Sequence, residues 1–385
     1  MKTRMVQLSE LIKIEKGKKA SQLLDRRTAT SLRYLQIDDL RPDAKPKYIE
    51  PFGCPIATLS DVIIAWDGAN AGTVSCNLNG YIGSTLAVLR PTTDKLFAPY
   101  LSRFLEGKFD YLQANSTGAT IPHLSRNILE EMQIPFPELP EQQRIAEQLE
   151  QADRLRRTRR YTLELTNTFL SAAFLELFGD QNTASNPFPS APIGEHLEAI
   201  EGGVNFNPVG ENDPASDWRV LKVSAVSWSN FLPEESKPIS PVERFSEKLI
   251  VKRGDLIMSR ANTVELVGAV ARVRAPPPKV LLPDKLWRLK FRAGSQLLPD
   301  YLLYALRSGV ARHEIEIRAS GTSGSMKNIS KDDVRELCLP VPPHYLQQKF
   351  ADIVERVEHL RAVQREALRQ AEHLFLSLLN RSFRV

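Results

Sequence analysis

The chain has 385 residues, with 51 Lys and Arg against 46 Asp and Glu, a formal net charge of +5 and 42% hydrophobic residues. That length suits two or three packed domains, and the composition excludes a disordered chain. No apolar run nears the roughly 20 residues of a membrane helix, and the N-terminal stretch lacks the pattern of a secretory signal. The three cysteines, Cys54, Cys76 and Cys338, are far apart and form no CxxC, so neither a structural zinc nor a disulfide framework is expected. A cytoplasmic setting with no membrane contact follows as the expectation.

Residues 1–140 mix short β-rich runs, such as Asp61–Trp66 and Thr85–Leu89, with Gly, Pro and Ser/Thr punctuation and a helical pattern at Tyr100–Leu105. They predict an α/β (α+β) domain of ordinary size. Residues 141–178 hold no Pro and no Gly and predict one long helix, about 55 Å at 1.5 Å per residue. A Pro-rich segment enters it and Gly179 stops it. Residues 181–343 return to the mixed pattern, with Leu256–Ser259, Leu266–Val273 and Tyr301–Leu306. A second long helix is predicted over 344–381. The expected division is therefore 1–140, 141–180, 181–343 and 344–385.

This order is a duplication. Leu124-Ser125, Ile134-Pro135-Phe136-Pro137, Gln142-Gln143 and Phe178 return 205 residues later as Ile329-Ser330, Leu339-Pro340-Val341-Pro342, Gln347-Gln348 and Phe383. Upstream the offset is smaller. Asp61-Val62-Ile63-Ile64 matches Asp255-Leu256-Ile257-Met258 at 194, and Gly17 matches Gly202 at 185. The drift places small insertions in the loops of the second copy.

The second helix carries a stripe at Phe350, Ile353, Val357, Leu360, Gln364, Ala367, Ala371, Leu374 and Leu378. Its steps alternate three and four, as in a coiled-coil seam. The equivalent stripe of the first helix includes Ile145, Ala152, Leu155, Arg159 and Phe169. The two helices are expected to pair as an antiparallel coiled coil with pseudo-two-fold symmetry. Arg159 and Gln364 would then either form a central polar layer or extend to solvent.

Catalytic patterns are missing. Gly17-Lys18-Lys19 lacks the earlier Gly of a phosphate loop, and GxGxxG, GxSxG and HExxH do not occur. Neither a catalytic residue nor a metal ligand is assigned, and a polar surface role suits His123 better than general-base work. Binding chemistry is present. The first 35 residues hold nine basic side chains against three acidic ones, including Lys16, Lys18, Lys19, Arg26 and Arg27, which suits a polyanion. One loop follows the central β run of each copy, with Trp66 and Asn70 in the first and Arg260, Asn262 and Thr263 in the second. Asn can bond adenine and Arg guanine at base edges. Another loop precedes the Leu-Ser or Ile-Ser marker. It holds Ser116, Thr117, Thr120 and His123 in one copy, and Ser320, Thr322, Ser323, Ser325, Lys327 and Asn328 in the other. Such hydroxyls suit phosphates and serve equally as loop fillers. A non-catalytic scaffold gripping two proteins is the alternative reading.

The arrangement resembles the specificity subunit of type I restriction–modification systems, in which two target-recognition domains are each followed by a long helical spacer. The segments Ile134-Pro135-Phe136-Pro137-Glu138-Leu139-Pro140-Glu141-Gln142-Gln143-Arg144-Ile145 and Asp61–Gly72 carry the resemblance. The second copy departs from it at His344-Tyr345-Leu346 and at Arg260-Ala261-Asn262-Thr263. The resemblance implies a DNA-recognition subunit without catalysis of its own, reading an asymmetric bipartite target in double-stranded DNA. Its partners would be two methyltransferase subunits and, in systems that have them, restriction subunits. S-adenosylmethionine, ATP and Mg would belong to those partners, with no cofactor in this chain.

Overall fold

Val62-Ile63-Ile64 and Leu256-Ile257-Met258 are buried on both faces, as expected of strands enclosed on either side. Each run is a central strand of its own sheet. The computed structural model describes residues 4–41, 45–118, 122–180, 186–206, 217–227, 231–239, 246–276, 278–323 and 326–383. The chain forms two units, one of residues 1–162 and 364–385 and the other of residues 163–363.

The first unit contains β1 (Met5–Gln7), α1 (Leu8–Leu11), β2 (Ile12–Lys16), β3 (Leu32–Leu35), β4 (Lys47–Ile49), β5 (Ile56–Ala57), β6 (Val62–Ala65), β7 (Val74–Cys76), β8 (Gly80–Ile82), β9 (Leu86–Pro91), α2 (Ala98–Glu106), α3 (Phe109–Ala114), α4 (Arg126–Glu131) and β10 (Gln133–Pro135). Helix α5 (Leu139–Phe178) begins in it. An antiparallel sheet runs β2-β9-β6-β7, a mixed one β4-β3-β8-β5, and β1 pairs with β10.

The second unit contains β11 (Ser190–Pro192), β12 (Leu197–Gly202), β13 (Arg219–Leu221), β14 (Ser236–Pro238), β15 (Leu256–Ser259), β16 (Ala261–Asn262), β17 (Val270–Arg272), β18 (Val280–Leu281), β19 (Leu286–Phe291), α6 (Pro299–Ala305), α7 (Gly309–Arg318), β20 (Ser320–Ser323), β21 (Met326–Asn328), α8 (Lys331–Arg335) and β22 (Cys338–Pro340). Helix α9 (His344–Phe383) begins in it. Its sheets are β12-β19-β15-β17, β14-β13-β18, β11-β22 and an additional β16-β21-β20. Of the run Leu266–Val273 only Val270–Arg272 is strand, because the chain turns through Gly268 at φ +75°.

Repeated side chains do repeated work. Gln142 and Gln347 are fully buried at the helix entrances. Gln142 accepts from Phe97 N–H (3.0 Å) and donates to the carbonyls of Lys95 and Pro137. Gln347 accepts from Leu298 N–H (2.8 Å) and donates to those of Gln296 and Pro342. The Tyr100 and Tyr301 hydroxyls donate to Pro135 and Pro340 carbonyls, each at 2.7 Å.

One matched pair needs correction. The counterpart of Gly17 is Gly203, since a β-bulge between Leu197 and Ala199 adds one residue to β12. A Cβ at Gly17 would lie 2.2 Å from the Ile82 carbonyl oxygen, and one at Gly203 would lie 2.0 Å from that of Leu282. Gly202 therefore occupies the place of Lys16.

The stripe read along the helices also changes. Leu155, Phe169, Leu360 and Leu374 are exposed, while Leu149, Leu170, Phe174, Val354, Phe375 and Leu379 are buried. Ile145, Ala152, Phe350 and Val357 are buried, and Ile353, Arg159, Gln364 and Leu378 are half-buried. The buried face serves the β-sheet domains as well as the other helix, so it does not follow a helix-only seam. Toward the helix ends it advances in steps of four, through Leu170, Phe174 and Phe178 and through Ala371, Phe375, Leu379 and Phe383.

Each unit takes one half of each long helix. In the first, Phe383 packs on Tyr100 and Phe104 at ring distances of 5.1 and 5.5 Å, and the Arg156 guanidinium lies 3.7 Å over the Phe375 ring. Arg159 Nη1 donates to Gln364 Oε1 at 3.2 Å. In the second, Phe178 packs on Tyr301 (4.9 Å) and Phe350 (5.6 Å), and Arg361 Nε donates to Thr166 Oγ1 at 2.8 Å. Within each unit, residues later in α5 meet residues earlier in α9.

Candidate nucleic-acid interface

In the first unit, the loop after β6 and the loop after α3 converge. Leu124 N–H donates to the Trp66 carbonyl (2.9 Å), Gly68 N–H donates to that of Pro122 (2.9 Å), and Asp67 forms a bridge with His123. The Asp67 carboxylate holds Lys16 Nζ at 2.8 Å and His123 Nδ1 at 2.6 Å. Burial raises the Asp67 pKa, but the hydrogen bonds from Lys16 and His123 more than offset it and leave the group below its ordinary value. Asn70 accepts from Arg41 Nη2 at 2.9 Å, and the Ser116 hydroxyl donates to the Leu112 carbonyl at 2.9 Å. Thr117 pairs with His123 through both backbone hydrogen bonds. Trp66 is half-buried against the core.

The second unit joins the same two segments in a different way. Ile329 N–H donates to the Arg260 carbonyl at 3.1 Å, as Leu124 does to Trp66. Ala261 pairs with Asn328, Asn262 with Lys327, and Ser320 with Asn328, making a small antiparallel sheet. Asn262 Oδ1 accepts from Thr263 N–H at 2.9 Å, and Thr263 is exposed. The trio Lys16, Asp67 and His123 thus becomes Gly202, Ala261 and Asn328. A charged lock closes one loop pair and strand pairing closes the other. Thr120 and Ser325 lie outside the described residues, as do the side chains of Thr322 and Ser323.

The basic stretch is partly neutralised. Lys13 pairs with Glu15, Lys16 with Asp67 and Arg33 with Asp39, whereas Asp25 of the stretch is taken by Lys47 from outside it. Lys18 Nζ donates to the Gly53 carbonyl, whereas Lys19, Arg26 and Arg27 stand exposed between β2 and β3. Sequence reading missed Trp287, whose ring Arg260 approaches, and Lys331, which approaches the same ring. The offsets of 200 and 205 align them with Ala87 and Arg126, a signal that becomes readable once the strands are paired.

Residues 2–165 match the type I restriction modification DNA specificity domain. The chain is 24% identical over 401 residues to the type I restriction enzyme MjaVIII specificity subunit of Methanocaldococcus jannaschii, covering 98% of this chain and 91% of that one. The chain is thus similar to type I specificity subunits along nearly its whole length, and its first 165 residues carry their DNA specificity domain. The EcoKI specificity subunit of Escherichia coli K12 is likewise 24% identical, over 84% of this chain and 74% of its own length. The fold matches that of the S subunit from M. genitalium at a TM-score of 0.65 and 14% identity, covering 99% and 96% of the two chains. A second match, at 0.52 and 20% identity over 99% and 97%, comes from a structural study of type I complex assembly and conformational transition. These relatives are named as the specificity subunits of type I restriction enzymes. Among the described residues, no helix is long and apolar enough to cross a membrane, and no His/Cys/Asp/Glu cluster is suited to a metal.

Proposed function

We propose that this chain is a DNA specificity subunit in which each unit reads one half of an asymmetric, bipartite target, through the joined loops at 66–72 and 116–123 in one and 259–263 and 320–328 in the other. The observation that carries the reading is a shared scaffold with exchanged loop chemistry. The Trp66–Leu124 and Arg260–Ile329 hydrogen bonds coincide, while Lys16, Asp67 and His123 give way to Gly202, Ala261 and Asn328. Two copies reading the same half-site would have no reason to differ there.

Helices α5 and α9 form an antiparallel pair with pseudo-two-fold symmetry that sets the half-site spacing. Supporting this is the bond between Arg159 and Gln364, which are 205 residues apart and hence equivalent. A position meets its own equivalent only at a two-fold centre. The chain performs no catalysis and needs no cofactor of its own. Two methyltransferase subunits, carrying S-adenosylmethionine, dock on the helices, and restriction subunits using ATP and Mg join where the system has them. Leu155, Tyr161, Phe169, Leu360 and Leu374 are exposed on these helices, as apolar side chains awaiting a partner would be. Charged side chains on the same helices, among them Arg144, Glu147, Arg154, Arg156, Arg160, Lys349, Arg356 and Arg365, would add to such a docking face; of these, Arg144 pairs with Glu141, Arg160 with Glu372, and Arg156 with Asp153, Glu106 and the Phe375 ring.

Inserting one heptad into both helices tests the spacing role. At 1.5 Å per residue the insertion adds about 10 Å, so the preferred spacer should lengthen by up to about 3 bp with both half-sites unchanged. Altered half-site bases would refute the ruler.

A further inference from the structure

We infer that the second unit carries a dedicated clamp for one DNA backbone phosphate, built from Arg260 and Lys331 around Trp287. This deepens the proposed function and rests on it. Strands β12, β19 and β21 and the start of α8 border an open cleft of about 550 Å³ whose lining includes Gly202, Arg260, Asp284, Trp287, Lys331 and Asp333. The Arg260 guanidinium carbon lies 6.0 Å from the Trp287 ring centroid, and Lys331 Nζ lies 5.9 Å from the same centroid. Both cations are exposed, whereas Trp287 is 5% exposed, and all three side chains line the same cleft.

Two like charges held over one ring repel each other, and cation–π attraction at exposed sites is worth only about 0.5–1 kcal/mol. Among the described residues neither has an ion-pair partner. The nearby carboxylates do not supply one. Asp333 is engaged by the Ser330 hydroxyl and N–H in the cap of α8, while Asp284 and Asp332 make no ion pair with either cation. The corresponding places in the first unit are neutral overall. Arg126, aligned with Lys331, pairs with Glu130 at 2.8 Å, and Lys16, at the place of Gly202, pairs with Asp67. Glu130 is replaced by Arg335 in the second copy, and the missing side chain of Gly202 leaves the ring edge open beside the cleft. An anion is what completes this site. Because the cleft adjoins the β16-β21-β20 sheet, that anion is a phosphodiester of the bound duplex.

The test is the salt dependence of binding by the full chain with its methyltransferase subunits, measured on duplexes carrying the selected target and on unrelated duplexes. Each phosphate contact contributes about 0.9 to the slope of log K against log salt. Lys331→Gln and Arg260→Gln, singly, should weaken binding to all duplexes by a similar factor and lower the slope, together by about one contact. Arg126→Gln should leave it unchanged. An unchanged slope in both variants overturns the clamp, as does a change in the selected bases, which would make Arg260 a base reader. Absence of salt-sensitive DNA binding by the wild-type complex overturns the proposed function itself.

Discussion

Replacing Phe383 by Ala is expected to destabilise the first unit by about 3–5 kcal/mol, the usual cost of deleting a buried aromatic ring. Phe178→Ala should do the same to the second. Both rings are almost wholly buried, Phe383 against Tyr100 and Phe104 and Phe178 against Tyr301 and Phe350. The consequence is crossed. The C-terminal Phe383 supports the N-terminal domain, and Phe178, at the end of the first helix, supports the second. Hydrogen exchange resolved along the chain checks this. Phe383→Ala should lower protection in α2 first, and loss confined to α6 would show the assignment of helix halves to be wrong.

Replacing Arg288 by Met should cost the second unit about 3–5 kcal/mol, because it strands carboxylates in a desolvated place. The Arg288 side chain is 10% exposed and bonds Asp255 (2.7 Å), Glu201 (3.1 Å) and the carbonyls of Ile250 and Lys248. In the first unit Arg90 bonds Asp61 (3.3 Å), Glu15 (3.3 Å) and the Ile56 carbonyl (2.7 Å), an equivalent set of acceptors. Its side chain is 38% exposed, so Arg90→Met should cost clearly less. Denaturant titrations of the two variants compare them. Equal losses would mean that burial does not set the energy of these networks.

The two arginines also mark a limit of sequence reading. Arg90 aligns with Lys290 and Arg288 with Val88, so the shared cluster is invisible in an alignment. The chain solved the same problem from two positions two residues apart, which lie on one face of a strand. Local and strongly patterned features were legible. The Pro-rich entries, the buried glutamines, Tyr100 and Tyr301, and the long helices could all be located by offset. The exchange of helix halves was not, because a stripe of apolar residues reveals that a face is buried and not what covers it. Leu155, Phe169, Leu360 and Leu374 fit a heptad and yet are exposed. The one-residue bulge in β12 moved Gly203 into register with Gly17, and the matching of Gly202 failed for that reason. At the interface, loop position could be read from the duplication, but the pairing of Lys16 and His123 through Asp67 required the fold to bring three distant segments together.

Selection from a randomised duplex pool, by the full chain together with methyltransferase subunits, tests the central claim most directly. Two short, different motifs separated by unread bases of one fixed length are expected. Recovery of a single contiguous motif, two identical half-sites, or no motif at all would contradict it.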